Sequence, residues 1–572
     1  MTQTPRLTAP LFALLVTICV MPAALSFLAP CQGAVPPPPR ALVLDDPSLP
    51  GYDAGLGGAL KDTLALVGYN VVSADTDALM PPGALGPGHC ALLVLPQARH
   101  LPAVLISAVS NYVKRGGNLL VLGAPAWQIP TTVKRDGLWR TSGEDAGAQV
   151  LLPPSTPFLD FRADFPATAL IRETNAEKTP TTIVSEPSGG GQGRLSGALH
   201  VTILDLNGWD MWRTPDLVAS PFAPGQTVTV LSARGDSRTH RLSLEWDDRD
   251  GSRWIAVIPL AEQWQRYALT PADFHAWGVS SAERERAGFD PANVIRFKAG
   301  MAFTHTGRIG GRHEYWLAGV GTEAALGGAV RPMDIPALET ISPAYKFSPL
   351  HGHVRLDTPP GEALVTPQEW EDVDPSAWGI ASSPPRPGGT GFDKGRDWRW
   401  QPLLVARDIR TGQWRGVPAT LFVHKPDGGG LDAGGVWAAF AVEDASFYRQ
   451  KATLRLIGDV ARRMREGLFL LDGGASCYTL LPGQSVRLGA MLANLSAGRR
   501  SAEVSVTVSA PKSVMPVWKR AWPLGVDGRT SLATPPTEWT PPAGKFPTDG
   551  YTVTTELRAD GALVDRLQHS LY

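Results

Sequence analysis

Cysteine is scarce in this chain, with four residues among 572, at positions 19, 31, 90 and 477. None of them stand in the Cys-x-x-Cys spacing of a zinc site, and four are too few to cross-link a chain of this size. This scarcity excludes a disulfide scaffold. Cys90 and Cys477 are interpreted as buried thiols, and a bridge between them stays open as an alternative for an oxidising compartment.

An excess of charge of one sign is also missing. The chain has 53 Lys and Arg against 54 Asp and Glu, for a formal net charge of −1. Because nucleic-acid binders carry a basic footprint, we expect no nucleic-acid partner. Glycine and proline are plentiful instead, with 60 and 52 residues. Turn residues at this frequency are typical of folds built from many short strands.

Long apolar runs are confined to the N-terminus, where one extends from Leu11 to Leu28. Its length and flanking residues indicate a signal peptide rather than a membrane anchor. We assign residues 1–33 to the signal peptide and 34–40 to a Pro-rich linker. The mature protein is then secreted, extracellular or periplasmic, with no transmembrane span. A lipid anchor on Cys31 is the alternative, although Pro30 directly before it fits such a signal poorly.

Apolar segments without polar alternation occur in two separate parts of the chain. The first part has four, at residues 41–45, 70–72, 91–95 and 118–122, and the second has three, at residues 402–406, 419–424 and 436–442. Amphipathic segments lie between the first four. A helix is predicted over 445–466, with Asp444 as its cap and Gly467 as its stop. Continuous apolar strands separated by such helices predict a parallel sheet covered on both faces.

Short alternating segments fill the region between these two parts, at residues 199–205, 227–231, 240–246 and 254–258. This pattern, with turn residues between the segments, predicts an antiparallel β-sandwich. Similar alternation at residues 485–488, 502–508 and 551–557 predicts a second sandwich at the end of the chain.

The fold class is therefore multi-domain, α/β plus all-β. We expect a flavodoxin-like parallel sheet split by an inserted β-sandwich jelly roll and followed by an immunoglobulin-like β-sandwich. The predicted limits are 41–130 and 335–467 for the split α/β domain, 131–334 for the insert and 468–572 for the last domain. Insertion at an exposed loop is tolerated because domain termini often lie close together.

Three parts of the chain resemble known families. The stretch from Asp62 to Leu122, with its Gly-Gly junction between helix and strand, resembles class I glutamine amidotransferase-like domains, in the non-catalytic version of β-galactosidase trimerisation domains. The run Trp264–Phe274, with Val294–Phe297 and Tyr315–Val320, resembles galactose-binding-like jelly rolls of carbohydrate-binding modules. The last hundred or so residues look like an immunoglobulin-like linker domain of glycosidases. These resemblances imply an assembly module, with a homo-oligomer formed through the α/β domain, a sugar-holding module and a spacer.

An active amidotransferase needs a nucleophile on the sharp turn after a central strand. The comparable turn here is residues 123–127, Gly-Ala-Pro-Ala-Trp, which has no Cys, Ser or Thr. His424, Asp45 and Asp46 also stand at strand ends, but they are interpreted as structural residues. We therefore expect no catalytic residue in this chain.

Sugar binding needs flat aromatic surface for the apolar faces of pyranose rings and polar side chains for the hydroxyls. The insert is rich in both. Most of its aromatic residues, such as Trp254 and Tyr267, are interpreted as core, whereas residues 207–212 are predicted to form a loop that presents its tryptophans. The candidate sugar-binding residues are Trp209, Asp210, Trp212, Arg213, Trp246, Tyr315 and Trp316. The predicted partner is a polysaccharide or oligosaccharide.

An acidic turn holds Asp247, Asp248 and Asp250. Carboxylates at this spacing are a candidate calcium site, and an ordinary acidic surface turn is the alternative. No other cofactor is expected.

Three functions compete. The first is a secreted, non-catalytic carbohydrate-binding or scaffolding protein associated with polysaccharide degradation. The second is a glycoside hydrolase, or an accessory region of one, whose catalytic part is cryptic or lies beyond this chain; its two carboxylates would be set by a through-space separation of about 5–10 Å, which a sequence does not reveal. The third is a structural cell-surface protein in which the jelly roll packs against protein.

Overall fold

The structure is a computed structural model, and most of the chain after residue 36 is described. The described residues are 37–86, 88–123, 125–141, 153–161, 164–175, 181–186, 197–324, 345–350, 353–359, 363–368, 370, 378–382, 391–426, 434–542 and 546–572. The predicted signal peptide, Cys31 and Ala124 lie outside them. Among the described residues, no helix combines the length and the apolar character needed to cross a membrane.

An eight-stranded sheet draws its strands from two distant parts of the chain. They are β1 (Arg40–Leu44), β2 (Asn70–Ala74), β3 (Leu92–Leu95), β4 (Asn118–Leu122), β20 (Val354–Asp357), β22 (Trp398–Asp408), β23 (Trp414–His424) and β24 (Val436–Phe440). Their order in the sheet is β2-β1-β3-β4-β24-β23-β22-β20. The first five are parallel neighbours, with Leu122 of β4 aligned with Phe440 of β24. The last three strands pair antiparallel. The sheet is therefore mixed, whereas a wholly parallel sheet was predicted.

Helices pack on both faces of this sheet. The α-helices in the described residues are α1 (Ala54–Leu66), α2 (Thr76–Leu79), α3 (Leu105–Lys114), α4 (Ala282–Ala287) and α5 (Lys451–Glu466). Leu56, Leu60 and Leu64 recur at one-turn spacing on α1 and pack with α5 in the core of one face. The apolar side of α3, including Val109 and Tyr112, fills the core of the other face. Burying each such side chain stabilises the fold by about 1.5–3 kcal/mol.

The predicted helix over 445–466 is two elements. Asp444 caps a short 3₁₀ turn, Ala445–Arg449, by accepting a hydrogen bond from the Ser446 backbone N–H. The chain is extended at Gln450, and α5 begins at the next residue. Gly467, in the left-handed conformation with φ +68°, ends α5 as predicted.

The segment between β4 and β24 contains a two-sheet sandwich. One sheet, called here the outer sheet, consists of β7 (Thr156–Leu159), β9 (Thr181–Glu186), β10 (Ala198–Leu206), β12 (Val228–Gly235), β15 (Gln265–Leu269) and β18 (Gly311–Glu323). The other, called the cleft sheet, has the order β16-β14-β13-β17-β11-β8. Its strands are β8 (Ile171–Thr174), β11 (Trp209–Arg213), β13 (Arg241–Asp248), β14 (Arg253–Pro259), β16 (His275–Ala276) and β17 (Val294–Ala302). All the pairings in both sheets are antiparallel, as the alternation predicted.

A second sandwich ends the chain. Its sheets are β25 (Leu468–Ala475), β26 (Val486–Asn494), β29 (Thr530–Ala533) and β30 (Thr537–Trp539) against β27 (Arg500–Ser509), β28 (Trp518–Val526), β31 (Tyr551–Ala559) and β32 (Ala562–Leu571). Along β31 every second side chain is buried, which is the period of a half-buried strand. Two small hairpin-like pairs complete the described strands: β5 (Val133–Arg135) with β6 (Leu138–Arg140), and β19 (Tyr345–Pro349) with β21 (Trp378–Ser382).

Residues Pro39–Tyr572 form one compact unit, and buried polar contacts join its sheets. The guanidinium of Arg241, on the cleft sheet, donates a hydrogen bond to the backbone oxygen of Trp127, at 3.1 Å. Arg399 on β22 forms a buried ion pair with Asp565 on β32, Nη1 to Oδ2 2.6 Å. The limits given above for the individual domains stay predictions.

Candidate functional site

The cleft sheet presents a polar face away from the sandwich core. On β13, Leu242, Leu244 and Trp246 point into the core, so Glu245 and Asp247 point to the opposite face. The strand register places Lys298 of β17 beside Glu245 and Arg296 beside Asp247. Ionic side chains on three adjacent strands therefore form the floor of one surface.

A cleft of about 650 Å³ lies over this floor. Its lining residues are Glu173, Trp209, Met211, Asp247, Asp248, Arg249, Gly251, Arg253, Trp277, Ile295, Arg296, Lys298, Ala302, Thr304 and His305. This volume lies in the range of small-molecule and oligosaccharide-sized sites.

Two tryptophans project into the cleft. The side chains of Trp209 and Trp277 are 45% and 43% exposed. The His305 ring meets Trp277 edge-on, with ring centroids 4.5 Å apart. Burial lowers the pKa of His305, so its imidazole is neutral at physiological pH. The cleft thus combines exposed indole faces with a neutral histidine.

The backbone around Trp209 fixes its position. Gly208 has φ +128°, and a Cβ there would meet the Asn175 side chain at 2.0 Å. The Oδ1 of Asn175 accepts a hydrogen bond from the Trp209 backbone N–H at 3.0 Å. The Phe303 N–H donates to the Gly208 oxygen at 2.8 Å, which ties the start of β11 to the loop after β17. Glycine is required at this position, because any side chain would displace Asn175.

The floor of the cleft is a network of ion pairs. Glu245 accepts hydrogen bonds from Arg253, Nη2 to Oε2 2.9 Å, and from Lys298, Nζ to Oε1 2.8 Å. Asp247 accepts from Arg296, Nη1 to Oδ2 2.7 Å, and lies 3.1 Å from Lys298 Nζ. Burial favours the neutral form of Glu245, but the hydrogen bonds and charges of Arg253 and Lys298 outweigh it and lower the pKa of this carboxyl. Burial and the neighbouring Glu245 raise the pKa of Asp247.

The candidate calcium ligands are occupied by protein donors. Asp248 accepts from the indole N–H of Trp254 at 2.8 Å and pairs with Arg284. Asp250 accepts from the backbone N–H of Ser252 at 2.9 Å and also lies beside Arg284. Among the described residues, no group of three or more His, Cys, Asp or Glu side chains is placed to hold a metal ion. Arginine and lysine side chains compensate the acidic turn where calcium was predicted.

The structure separates the candidate sugar-binding residues. Trp209 lines the cleft, and Arg213, on the same face of β11, pairs with the lining residue Glu173, Nε to Oε1 2.6 Å. Whether these residues contact sugar stays a prediction. Four others are buried: Trp212, Trp246 and Tyr315 in the sandwich core, and Asp210 in an ion pair with Arg172. Their side chains are closed to a ligand in this structure, which corrects the sequence interpretation.

Trp316 lies on the outer sheet, away from the cleft. Its ring stacks on His200, with centroids 4.4 Å apart, and the guanidinium of Arg234 lies 3.6 Å from its centroid. The strand register places these three side chains beside one another on adjacent strands. Trp316 is therefore the centre of a nearly buried cross-strand stack and does not belong to the cleft.

Sequence reasoning missed most of the cleft. The candidate set did not include the lining residues Trp277, Arg253, Arg296, Lys298 or His305. The available signal was the alternation of charged and apolar residues along the strands, which marks one outward face. Only the pairing of four strands brings these side chains together.

At the carboxyl edge of the eight-stranded sheet, the strand ends are held by side chains of the chain itself. The Tyr448 hydroxyl accepts a hydrogen bond from the backbone N–H of Gly123, at 3.0 Å, and donates to Val442 O at 2.5 Å. Trp127 fills the same turn and is fully buried. Asp45 is held by Lys61, Nζ to Oδ2 2.7 Å. These side chains occupy the turn that would carry a nucleophile.

The remaining residues singled out from the sequence have structural partners. Asp46 accepts a hydrogen bond from the Thr76 N–H, at the start of α2. His424 is buried, and its Nδ1 lies 3.1 Å from Gly435 O. Cys90 and Cys477 are free thiols, so the alternative of a bridge between them is not realised.

Comparisons with known proteins give structural neighbours only. No protein-family model and no curated protein sequence matches the chain. Among solved structures, it is similar to a family 11 carbohydrate-binding module from Clostridium thermocellum in complex with a β-1,3-1,4-mixed-linked tetrasaccharide (12% identity, TM-score 0.23, covering 30% of this chain and 96% of the module). It is also similar to a family 30 carbohydrate-binding module (10% identity, TM-score 0.19, 27% of this chain and 87% of the module).

An exo-β-agarase is a further neighbour, with 11% identity and a TM-score of 0.23 over 30% of this chain and 25% of that enzyme. These three neighbours are two carbohydrate-binding modules and an agarase. Identities this low leave its function to be argued from the cleft.

Proposed function

We propose that the chain is an exported, non-catalytic protein that binds a neutral polysaccharide or oligosaccharide in the cleft over β13 and β17. The observation that carries this proposal is the pair of half-exposed tryptophans, Trp209 and Trp277, above a floor of charged hydrogen-bonding groups. Indole rings cover the apolar faces of pyranose rings, and arginine and carboxylate groups bond the hydroxyls.

The preference for a neutral sugar follows from the pairing of the floor. Arg253 and Lys298 both contact Glu245, and Arg296 contacts Asp247. These cations already have carboxylate partners. An acidic polysaccharide would therefore have to displace Glu245 or Asp247 to form an ion pair with them. A neutral hydroxyl instead adds hydrogen bonds to groups whose charges are compensated.

The other parts of the chain have supporting roles in this proposal. The eight-stranded sheet with its helices serves as an amidotransferase-like assembly module, through which the chain forms a homo-oligomer. The C-terminal sandwich serves as an immunoglobulin-like spacer. The N-terminal 33 residues direct export.

Isothermal titration of the mature chain tests the binding function. The panel contains mixed-linkage β-glucan, galactan and agaro-oligosaccharides, with polygalacturonate as the charged comparator. We expect at least one neutral glycan to bind, and W209A and W277A to weaken that binding by about 30-fold each, because buried aromatic contacts contribute about 2 kcal/mol or more.

The matched control is W414A. Trp414 is 58% exposed on β23, outside the cleft, so this variant should bind like the unmodified chain. Flat titrations across the whole panel, or equal affinities for W209A and the unmodified chain, would overturn the proposal. Release of reducing ends by the purified chain would point to the glycoside hydrolase instead.

A further inference from the structure

A second buried polar site lies where the cleft sheet meets the carboxyl edge of the eight-stranded sheet. The segments after β3 and β4 run side by side there: Trp127 N donates to Ala98 O at 2.8 Å, and Ile129 N donates to Arg99 O at 2.9 Å. Arg241 reaches the same place from β13 through its hydrogen bond to Trp127 O. Backbone from two elements and one arginine from a third therefore converge.

Several side-chain N–H groups at this junction have no hydrogen-bond acceptor. Among the described residues of this junction, four buried donor atoms lack a hydrogen-bond partner: Nε2 of Gln97, Nε of Arg99, Nε2 of Gln128 and Nη1 of Arg241. We call these four residues the junction cluster. Oε1 of Gln128, Oγ1 of Thr131 and Nε2 of His240 also lack partners, but the donors outnumber the atoms that only accept. Buried polar atoms in native proteins are almost always paired.

Within the junction cluster, Arg241 is a buried cation without a carboxylate partner among the described residues. Arg241 is only 4% exposed, and burial lowers the pKa of its guanidinium to about 10 with no carboxylate acting against the shift. Arg99 has Glu443 as a partner, at 3.4 Å. Arginine stays protonated at physiological pH, and a buried cation without a counter-charge costs several kcal/mol.

We propose that the junction cluster binds one small inorganic anion of halide size. An anion beside Arg241 Nη1 would accept a hydrogen bond from its orphaned N–H and supply the missing negative charge, whereas a water molecule brings as many donors as acceptors and no charge. Gln128 and Arg241 are 1% and 4% exposed, so the site lies away from the surface and is closed to an extended ligand. The bound anion then links the cleft sheet to the eight-stranded sheet.

Anomalous scattering from bromide tests the location. Crystals of the mature chain grown in sodium bromide should give an anomalous peak within about 3.5 Å of Arg241 Nη1. A water molecule without anomalous signal at that place would overturn the proposal, and so would a carboxylate of the chain itself bound to Arg241 Nη1.

Thermal unfolding tests whether the ion belongs to the fold. Sodium chloride should raise the Tm by on the order of 2 °C over sodium gluconate at equal ionic strength, in a saturable manner. R241Q and Q128L should each lose this difference, while R499Q, at an exposed ion pair, should keep it. A bromide peak without a saturable Tm difference would mean an adventitious ion only and would also overturn the proposal, and the bromide experiment remains decisive if R241Q does not fold.

Discussion

The cleft and the carboxyl edge of the eight-stranded sheet both contain aromatic side chains, but only in the cleft are these side chains exposed. In the cleft, Trp209 and Trp277 project over an ionic floor. At the carboxyl edge, Trp127 and Tyr448 are fully buried, and the Tyr448 hydroxyl takes up the Gly123 N–H. Aromatic side chains fill the carboxyl edge, whereas in the cleft they form an exposed surface. Their exposure and partners, rather than their number, indicate which place has a surface for a ligand.

The largest expected effect separates two tryptophans on one strand. Trp212 lies in the core and Trp209 in the cleft. W212A should lower the free energy of unfolding by about 3–5 kcal/mol, the usual cost of truncating a buried aromatic residue. W209A should change it by less than about 0.5 kcal/mol. Urea denaturation measures both values, and equal losses of stability would contradict the assignment of these residues to opposite faces.

A second effect concerns the closed carboxyl edge. Y448F removes the acceptor of the Gly123 N–H and leaves a buried donor unpaired. We expect the free energy of unfolding to fall by about 1–3 kcal/mol. Glycan affinity should not change, because Tyr448 is not among the residues that line the cleft. A parallel loss of affinity in titrations would show that the two places are coupled.

The two regions should respond to pH with opposite sign. Burial lowers the pKa of His240, beside the junction cluster, to about 3. Since the unfolded chain takes up this proton near pH 6.5, stability is lost as the pH falls, by about 2 kcal/mol between pH 7 and 5. The pKa of Asp247 in the cleft is raised by burial and by Glu245. On acidification, the native state takes up a proton on Asp247 at a higher pH than the unfolded chain does. The contribution of Asp247 to stability is therefore lost as the pH rises above the ordinary carboxyl range.

Difference measurements isolate these two terms. The free energy of unfolding of the unmodified chain minus that of H240Q should fall on acidification, and the corresponding difference for D247N should rise. Denaturant titrations at several pH values provide both. Slopes of equal sign would contradict the opposite pKa shifts of His240 and Asp247.

The smallest expected effect is that of salt on glycan affinity. Because Arg253, Arg296 and Lys298 have carboxylate partners, the cleft offers little uncompensated charge. Raising sodium chloride from about 0.05 M to about 0.5 M should change the Kd for a neutral glycan by less than about twofold. A steep loss of affinity at the higher salt concentration would favour an anionic ligand. The cleft would then hold uncompensated positive charge, as the junction cluster does.

The strands and their faces were largely predictable, because period and composition report burial directly. The apolar runs at 41–45 and 118–122 became β1 and β4. The segment around Trp209 was predicted as a loop, yet it is strand β11. Residues three positions apart on a strand point to opposite faces, and this is why Trp209 and Trp212 separate.

The cleft itself was not predictable from one sequence. Glu245, Arg253 and Lys298 come from three strands, and their meeting depends on which strands pair and in what register. The antiparallel end of the large sheet escaped prediction for a similar reason. Apolar strands such as β22 and β23 have the same composition whichever direction they take.

Gly467 is the only residue between α5 and β25, so the helix and the last sandwich have no slack between them. One residue of α-helix corresponds to a rotation of about 100° and a rise of about 1.5 Å. Inserting one residue in α5 would therefore rotate the C-terminal sandwich about the helix axis. This rotation would separate Asp565 from Arg399. The number of residues in α5 thus sets the orientation of the C-terminal sandwich relative to the eight-stranded sheet.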